Sequence, residues 1–169
     1  MTNQTNETEG LKIVRHFNAP KQVVFDAFSS AEALAEWWGP ADMAVTVKAF
    51  DFKPGGIFHY NMEANGQTMW GLFKYVTISP PDLIEFISSF SDENGNICAS
   101  PFPMDFPLEI FNQVTFTENN GKTTLTLQGH PINATAAQEA TYHSIKANME
   151  QGFGGTFDQL EKYVQSRIA

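Results

Sequence analysis

Strands segregated from helices, with a single long amphipathic segment at the C-terminal end, predict an α+β fold. The expected architecture is a curved antiparallel sheet of about six or seven strands wrapped around a long C-terminal helix, with two short helices after the first strand. Three observations predict it. Apolar residues alternate with period two through most of residues 11–129. Turn signals rich in Asn, Gly and Pro separate those runs at hairpin spacing. From Pro131 onward no proline occurs, and Ile145, Met149, Phe153, Phe157, Leu160, Val164 and Ile168 mark one helical face. Such a stripe cannot be buried by the helix alone. A sheet wrapped around it would bury the stripe and leave space between the two.

The elements follow in order. Residues 1–9 are polar without periodicity and read as a disordered leader, before one domain over 10–169. Leu11, Ile13, Arg15 and Phe17 alternate with Lys12, Val14 and His16 as in a strand. Pro20 sits where an early helical position tolerates a missing N–H, opening a helix over about 20–28. Ser29-Ser30-Ala31-Glu32 resembles a capping box for a second short helix, stopped by Trp37-Trp38-Gly39-Pro40. Met43, Val45, Val47 and Ala49 then share one strand face, with Thr46, Lys48 and Phe50 on the other. Pro54-Gly55-Gly56 turns the chain into a strand over 57–63. Asn65-Gly66 predicts a tight hairpin, because both residues tolerate positive φ, and the returning strand covers about 67–78. Ser79-Pro80-Pro81-Asp82 turns into a strand over 83–89, and Asp92 to Asn96 turns again. Pro101, Pro103 and Pro107 forbid a central strand over 97–107, so that stretch is expected as an ordered loop or edge. Two strands over 108–117 and 122–129, joined by Asn119-Asn120-Gly121, complete the sheet. Asn133 is the expected N-cap of the long helix.

Composition narrows the function classes. The chain has 169 residues, with 19 acidic against 10 basic side chains and a formal charge of −9. That balance argues against nucleic-acid binding, which needs clustered Lys and Arg, and against an anionic membrane surface. The 15 Phe, 4 Tyr and 3 Trp supply a sizeable core. A single Cys98 excludes an internal disulfide and a cysteine-rich zinc site. No run approaches the roughly 18 apolar residues of a membrane span, and no secretory apolar segment opens the chain. A cytoplasmic location is the expectation. His16, His59, His130 and His143 form no metal-ligand spacing, so each reads as a surface or hydrogen-bonded histidine, with His59 pointing away from the core. No Gly-x-Ser-x-Gly elbow occurs and Cys98 has no neighbouring His, so no catalytic residue is nominated.

Several segments together resemble the activator-of-heat-shock-protein-ATPase-homologue branch of the SRPBCC (START-like, helix-grip) superfamily. They are Phe17-Asn18-Ala19-Pro20 with Val24-Phe25-Asp26-Ala27-Phe28, Glu36-Trp37-Trp38-Gly39-Pro40, Asp51-Phe52-Lys53-Pro54-Gly55-Gly56-Ile57-Phe58, Ser79-Pro80-Pro81-Asp82, Gly121-Lys122-Thr123-Thr124-Leu125-Thr126-Leu127, and Gly152-Phe153 through Leu160. The resemblance spans about 10–165, and the 97–107 segment is its main departure. It implies a helix-grip fold with an apolar pocket between sheet and helix, used across the superfamily for lipids, polyketides and other hydrophobic molecules. Some members are cyclases or hydrolases. The name-giving eukaryotic proteins assist a chaperone through a related domain that follows a separate N-terminal domain, which this chain is too short to contain.

The expected function is therefore binding of a hydrophobic or amphipathic small molecule in that cavity. The alternatives are a cyclase- or hydrolase-type enzyme using the same space, and an interaction domain like that of the chaperone activators. Trp37, Trp38, Phe58, Tyr60, Met62, Trp70, Phe73, Met104, Met149, Phe153 and Phe157 are the candidate lining residues, although alternation alone does not say which strand face is concave. Tyr142 and His143 are the candidate polar pair. No cofactor and no metal is expected, nor a nucleic-acid, membrane or chaperone partner. The proline-rich segment offers an edge through which two copies could form a homodimer. Gly152, Gly154 and Gly155 interrupt the long helix at about 1 kcal/mol each relative to Ala. Two reasons stand open for them: room for a ligand or a bend over the pocket, or close approach to the sheet or to Trp37 and Trp38.

Overall fold

Period-two alternation and hairpin turns form the sheet where the sequence places it. The computed structural model describes residues 10–39, 42–101 and 103–168. The expected leader, and Pro40 and Phe102, lie outside them. The elements are β1 (Leu11–Phe17), α1 (Lys21–Asp26), α2 (Ala31–Trp37), β2 (Ala44–Phe50), β3 (Ile57–Ala64), β4 (Gln67–Ser79), β5 (Leu83–Phe90), β6 (Glu109–Asn119), β7 (Lys122–Ile132), α3 (Ala136–Ser144) and α4 (Lys146–Ile168). The strands make one antiparallel sheet in the order β1-β7-β6-β5-β4-β3-β2. The first strand thus closes against the last, with Leu11 opposite Gly129 and Phe17 opposite Thr123. Asn65-Gly66 and Asn120-Gly121 adopt positive φ at both turn residues, the backbone that lets two residues reverse a twisted strand pair.

The concave face carries the core. Val114 and Phe116 of β6, Leu125 and Leu127 of β7 and Phe17 of β1 are nearly inaccessible. They meet Phe157, Leu160 and Val164 of α4 in one cluster. Arg15 is also on that face, and it ties β1 to α4. Its Nη1 donates to the Gly154 carbonyl at 3.3 Å, and its Nη2 pairs with Asp158 and, at 3.2 Å, with Glu161.

Local expectations fail in four places, each for a physical reason. The Ser29–Glu32 box does not form: Ser30 is the N-cap and accepts from Ala33 N at 3.1 Å, leaving Glu32 out of phase. A register shift between Val47 and Ala49 puts Phe50 opposite Phe58, so a bulge turns Phe50 to the core and leaves Ala49 exposed. The helix after β7 is two helices, because Ile145 leaves helical geometry at φ −111°, ψ 12°. Its N-cap is Thr135, in a reciprocal capping box with Gln138, while Asn133 takes φ +53° in the preceding turn. Ile168, at the end of the stripe, is exposed.

Candidate ligand cavity

Close-packed interiors leave few voids larger than a water molecule, so unfilled apolar space marks a place where packing stops. Between the concave face and the C-terminal helices is an outer cavity of about 170 Å³. A smaller inner one of about 40 Å³ adjoins it and shares Ser88, Asn112 and Phe153. The sheet wall of the outer cavity comes mostly from β3, β4, β5 and β6. The α3–α4 break then brings Tyr142 and Met149 over it from two directions, and Phe106 and Pro107 close one side.

The structure brings together most of the expected lining. Tyr60, Met62, Trp70, Met149 and Phe153 border the outer cavity, and Trp38, Phe73, Phe153 and Phe157 the inner. Three candidates are elsewhere. Trp37 is fully buried, with its indole N–H donating to the Ala27 carbonyl at 2.8 Å. Phe58 is sealed in the aromatic cluster with Phe50, Tyr60 and Phe73. Met104 is exposed on the proline-rich segment, outside both cavities, because three prolines hold that stretch off the sheet. Trp70 borders the cavity, yet its ring faces the other way. It stands opposite Asn61 on the convex face, stacks on His59 at 5.2 Å and lies beneath the Lys48 ammonium.

His59 points away from the concave core and is nonetheless buried, under Trp70 and the 91–97 turn. Its Nε2 meets the Asp92 carbonyl at 3.1 Å. The Asp92 carboxylate caps that turn by accepting from the Asn96 and Asn94 backbone, which holds its pKa below the usual range. Tyr142 is not free to orient a ligand as half of a polar pair. Its hydroxyl donates to the Gly129 carbonyl at 2.9 Å and accepts from Leu11 N at 3.3 Å, pinning α3 to the β1–β7 edge. His143 stands on the groove beside Gly10 and His130, away from the cavity. Cys98 is exposed.

Two polar residues of the cavity were missed by sequence reasoning. Asn112 is 5% exposed, and its amide donates to Ser88 Oγ at 3.0 Å and to the Ile110 carbonyl at 3.1 Å. The signal was available. Asn112 interrupts the inward row Ile110, Val114, Phe116, as Ser88 interrupts Ile84 and Phe86, and a polar residue in a buried row needs a partner or a role. Burial pushes the Tyr60 hydroxyl up to about 12, against a smaller opposing pull from the neighbouring Trp38 side chain. It therefore stays protonated in the physiological range. Among the described residues, neither cavity wall carries an Asp, Glu, His, Lys or Arg. The site works through apolar contact and neutral hydrogen bonds.

The three glycines of α4 neither make room for a ligand nor permit a close approach. A Cβ at Gly152, Gly154 or Gly155 would meet nothing within 4 Å, and none borders the cavities.

The fold recurs in solved structures. A protein from Staphylococcus epidermidis is 28% identical, covers 99% of this chain and 95% of its own, and superposes with a TM-score of 0.74. Protein Ms6760 from Mycobacterium smegmatis is 25% identical over 95% of this chain and 93% of its own, with a TM-score of 0.75. A protein from Arthrobacter aurescens reaches a TM-score of 0.78 at 23% identity, covering 97% and 90%. No curated protein matches the chain. The family described as Activator of Hsp90 ATPase homolog 1-like protein matches residues 18–165, from the end of β1 to the last turns of α4. The chain belongs to that family, and its seven-stranded sheet gripping a long helix is the helix-grip fold of the SRPBCC superfamily.

Proposed function

We propose that the protein binds a hydrophobic or amphipathic small molecule in the cavity between the sheet and the C-terminal helices. The family supports a ligand-binding fold in general. The observation that carries the specific reading is the 170 Å³ recess walled by Tyr60, Met62, Met149 and Phe153. Apolar area left unburied forgoes about 25 cal/mol per Å², so an open apolar recess is stability given up. A preformed apolar recess with a few polar groups is the usual form of a small-molecule site. Cyclase or hydrolase chemistry in the same space would call for an acidic or basic side chain in the wall, and the described lining offers none.

Native mass spectrometry of protein purified from its source, followed by extraction, tests the reading. The expected result is a stoichiometric low-mass adduct that is lost on denaturation. An empty protein whose melting temperature is unmoved by a panel of apolar metabolites would overturn it.

A further inference from the structure

Two cross-strand pairs follow one pattern, the first inside the outer cavity and the second with only its asparagine on it. Tyr60 on β3 stands opposite Gly71 on β4, and Asn112 on β6 stands opposite Gly129 on β7. A Cβ on Gly71 would lie 2.4 Å from the Tyr60 hydroxyl oxygen, and one on Gly129 would lie 2.9 Å from Asn112 Oδ1. No real Cβ occupies such positions. In both pairs the missing side chain leaves room for the polar group of the neighbouring strand, and Tyr60 and Asn112 both border the outer cavity.

The hydrogen-bond inventory shows what those groups still offer. Asn112 commits its amide hydrogens to Ser88 Oγ and the Ile110 carbonyl, which leaves its carbonyl oxygen as an acceptor. Ser88 accepts that bond and keeps its own hydroxyl hydrogen. The Tyr60 hydroxyl borders the same space and carries its own hydrogen. The wall therefore offers two hydroxyl donors together with the acceptor oxygens of Tyr60 and Asn112, all uncharged. A hydroxyl group, with one hydrogen and two lone pairs, is the complement of that set.

Size and charge restrict the rest of the molecule. A dry apolar cavity of about 150 Å³ admits one benzene ring, close to the 170 Å³ found here. An ionised ligand would be buried without a counter-charge, at heavy cost. We propose that Tyr60, Ser88 and Asn112 form the polar end of a site for an uncharged, single-ring molecule carrying a hydroxyl group. The proposal rests on the cavity reading above and adds the ligand's class and orientation.

Calorimetric titration with phenol, toluene, benzoate and palmitate tests it on the intact chain. Phenol is expected to bind about fivefold or more tightly than toluene, its non-hydrogen-bonding near-isostere, from one or two net hydrogen bonds of about 1 kcal/mol each. Benzoate and palmitate are expected not to bind. Tyr60→Phe with Ser88→Ala should remove most of phenol's advantage over toluene, leaving only what Asn112 supplies, and leave toluene unchanged, with melting curves confirming that the variant is folded. Equal binding of phenol and toluene by the unsubstituted protein, or a phenol preference undiminished in the variant, would overturn the polar end while leaving the cavity reading intact. Binding of palmitate alone would overturn the ligand class only. Failure of all four probes would overturn both.

Discussion

Trp37→Ala is expected to lower stability by about 3–5 kcal/mol, the range for deleting a large buried aromatic, while the same change at Trp38 costs clearly less. The two residues are adjacent and chemically identical, so the contrast isolates their surroundings. Trp37 has no exposed surface, packs edge-on against Phe28 at 4.8 Å and satisfies the Ala27 carbonyl. Truncation leaves both a cavity and an unpaired buried acceptor. Trp38 is half-buried and borders space that already exists, so truncation there enlarges the inner cavity. At about 2–4 °C per kcal/mol for a chain of this size, the Trp37 variant should melt roughly 10 °C lower. Equal losses at the two positions would contradict the assignment of one to the core and the other to the site.

Replacing Gly152, Gly154 and Gly155 together by Ala should raise stability by about 2–3 kcal/mol. Each glycine costs up to about 1 kcal/mol in a helix interior, and alanine restricts the unfolded chain at a compatible position. The space for each Cβ is open, and the bond from Arg15 to the Gly154 carbonyl involves only backbone on the helix side. Denaturant unfolding measures the gain. The same glycines weaken the part of α4 that carries Met149 and Phe153, two walls of the cavity. Amide exchange over 146–158 should therefore slow in the triple variant. A lower midpoint would show that the helix needs a bend there.

The sheet was legible because most strands bury one face, so period two survives in the sequence and Asn-Gly turns fix the hairpins. Where local rules compete, the reading slipped. The bulge after Val47 reverses the inside and outside of Phe50, and nothing in residues 43–50 announces it. The α3–α4 break at Ile145 lies in a continuous apolar stripe without Gly or Pro, so tertiary packing decides it. The cavity was half legible. Alternation groups Phe58, Tyr60 and Met62 in one row without saying that the row is concave, which the packing against α4 decides. Trp70 breaks that logic: a large apolar residue occupies the convex face because His59 offers it a stacking partner there. Trp37 and Trp38 could not be told apart, since a helix end sends neighbouring side chains to different environments. Asn112 and Ser88 carried a readable signal, polar residues in inward rows, which a search for charged or metal-ligating residues passes over.

Methyl NMR of the protein labelled at methionine, titrated with phenol, tests the central claim most directly. Met62, Met69 and Met149 line the outer cavity, whereas Met43 and the exposed Met104 border neither cavity. The account predicts saturable shifts of the three cavity methyls with one affinity, and none for Met43 or Met104. Shifts confined to Met104, or equal drift of all five without saturation, would place binding on the surface and contradict a ligand cavity between sheet and helix.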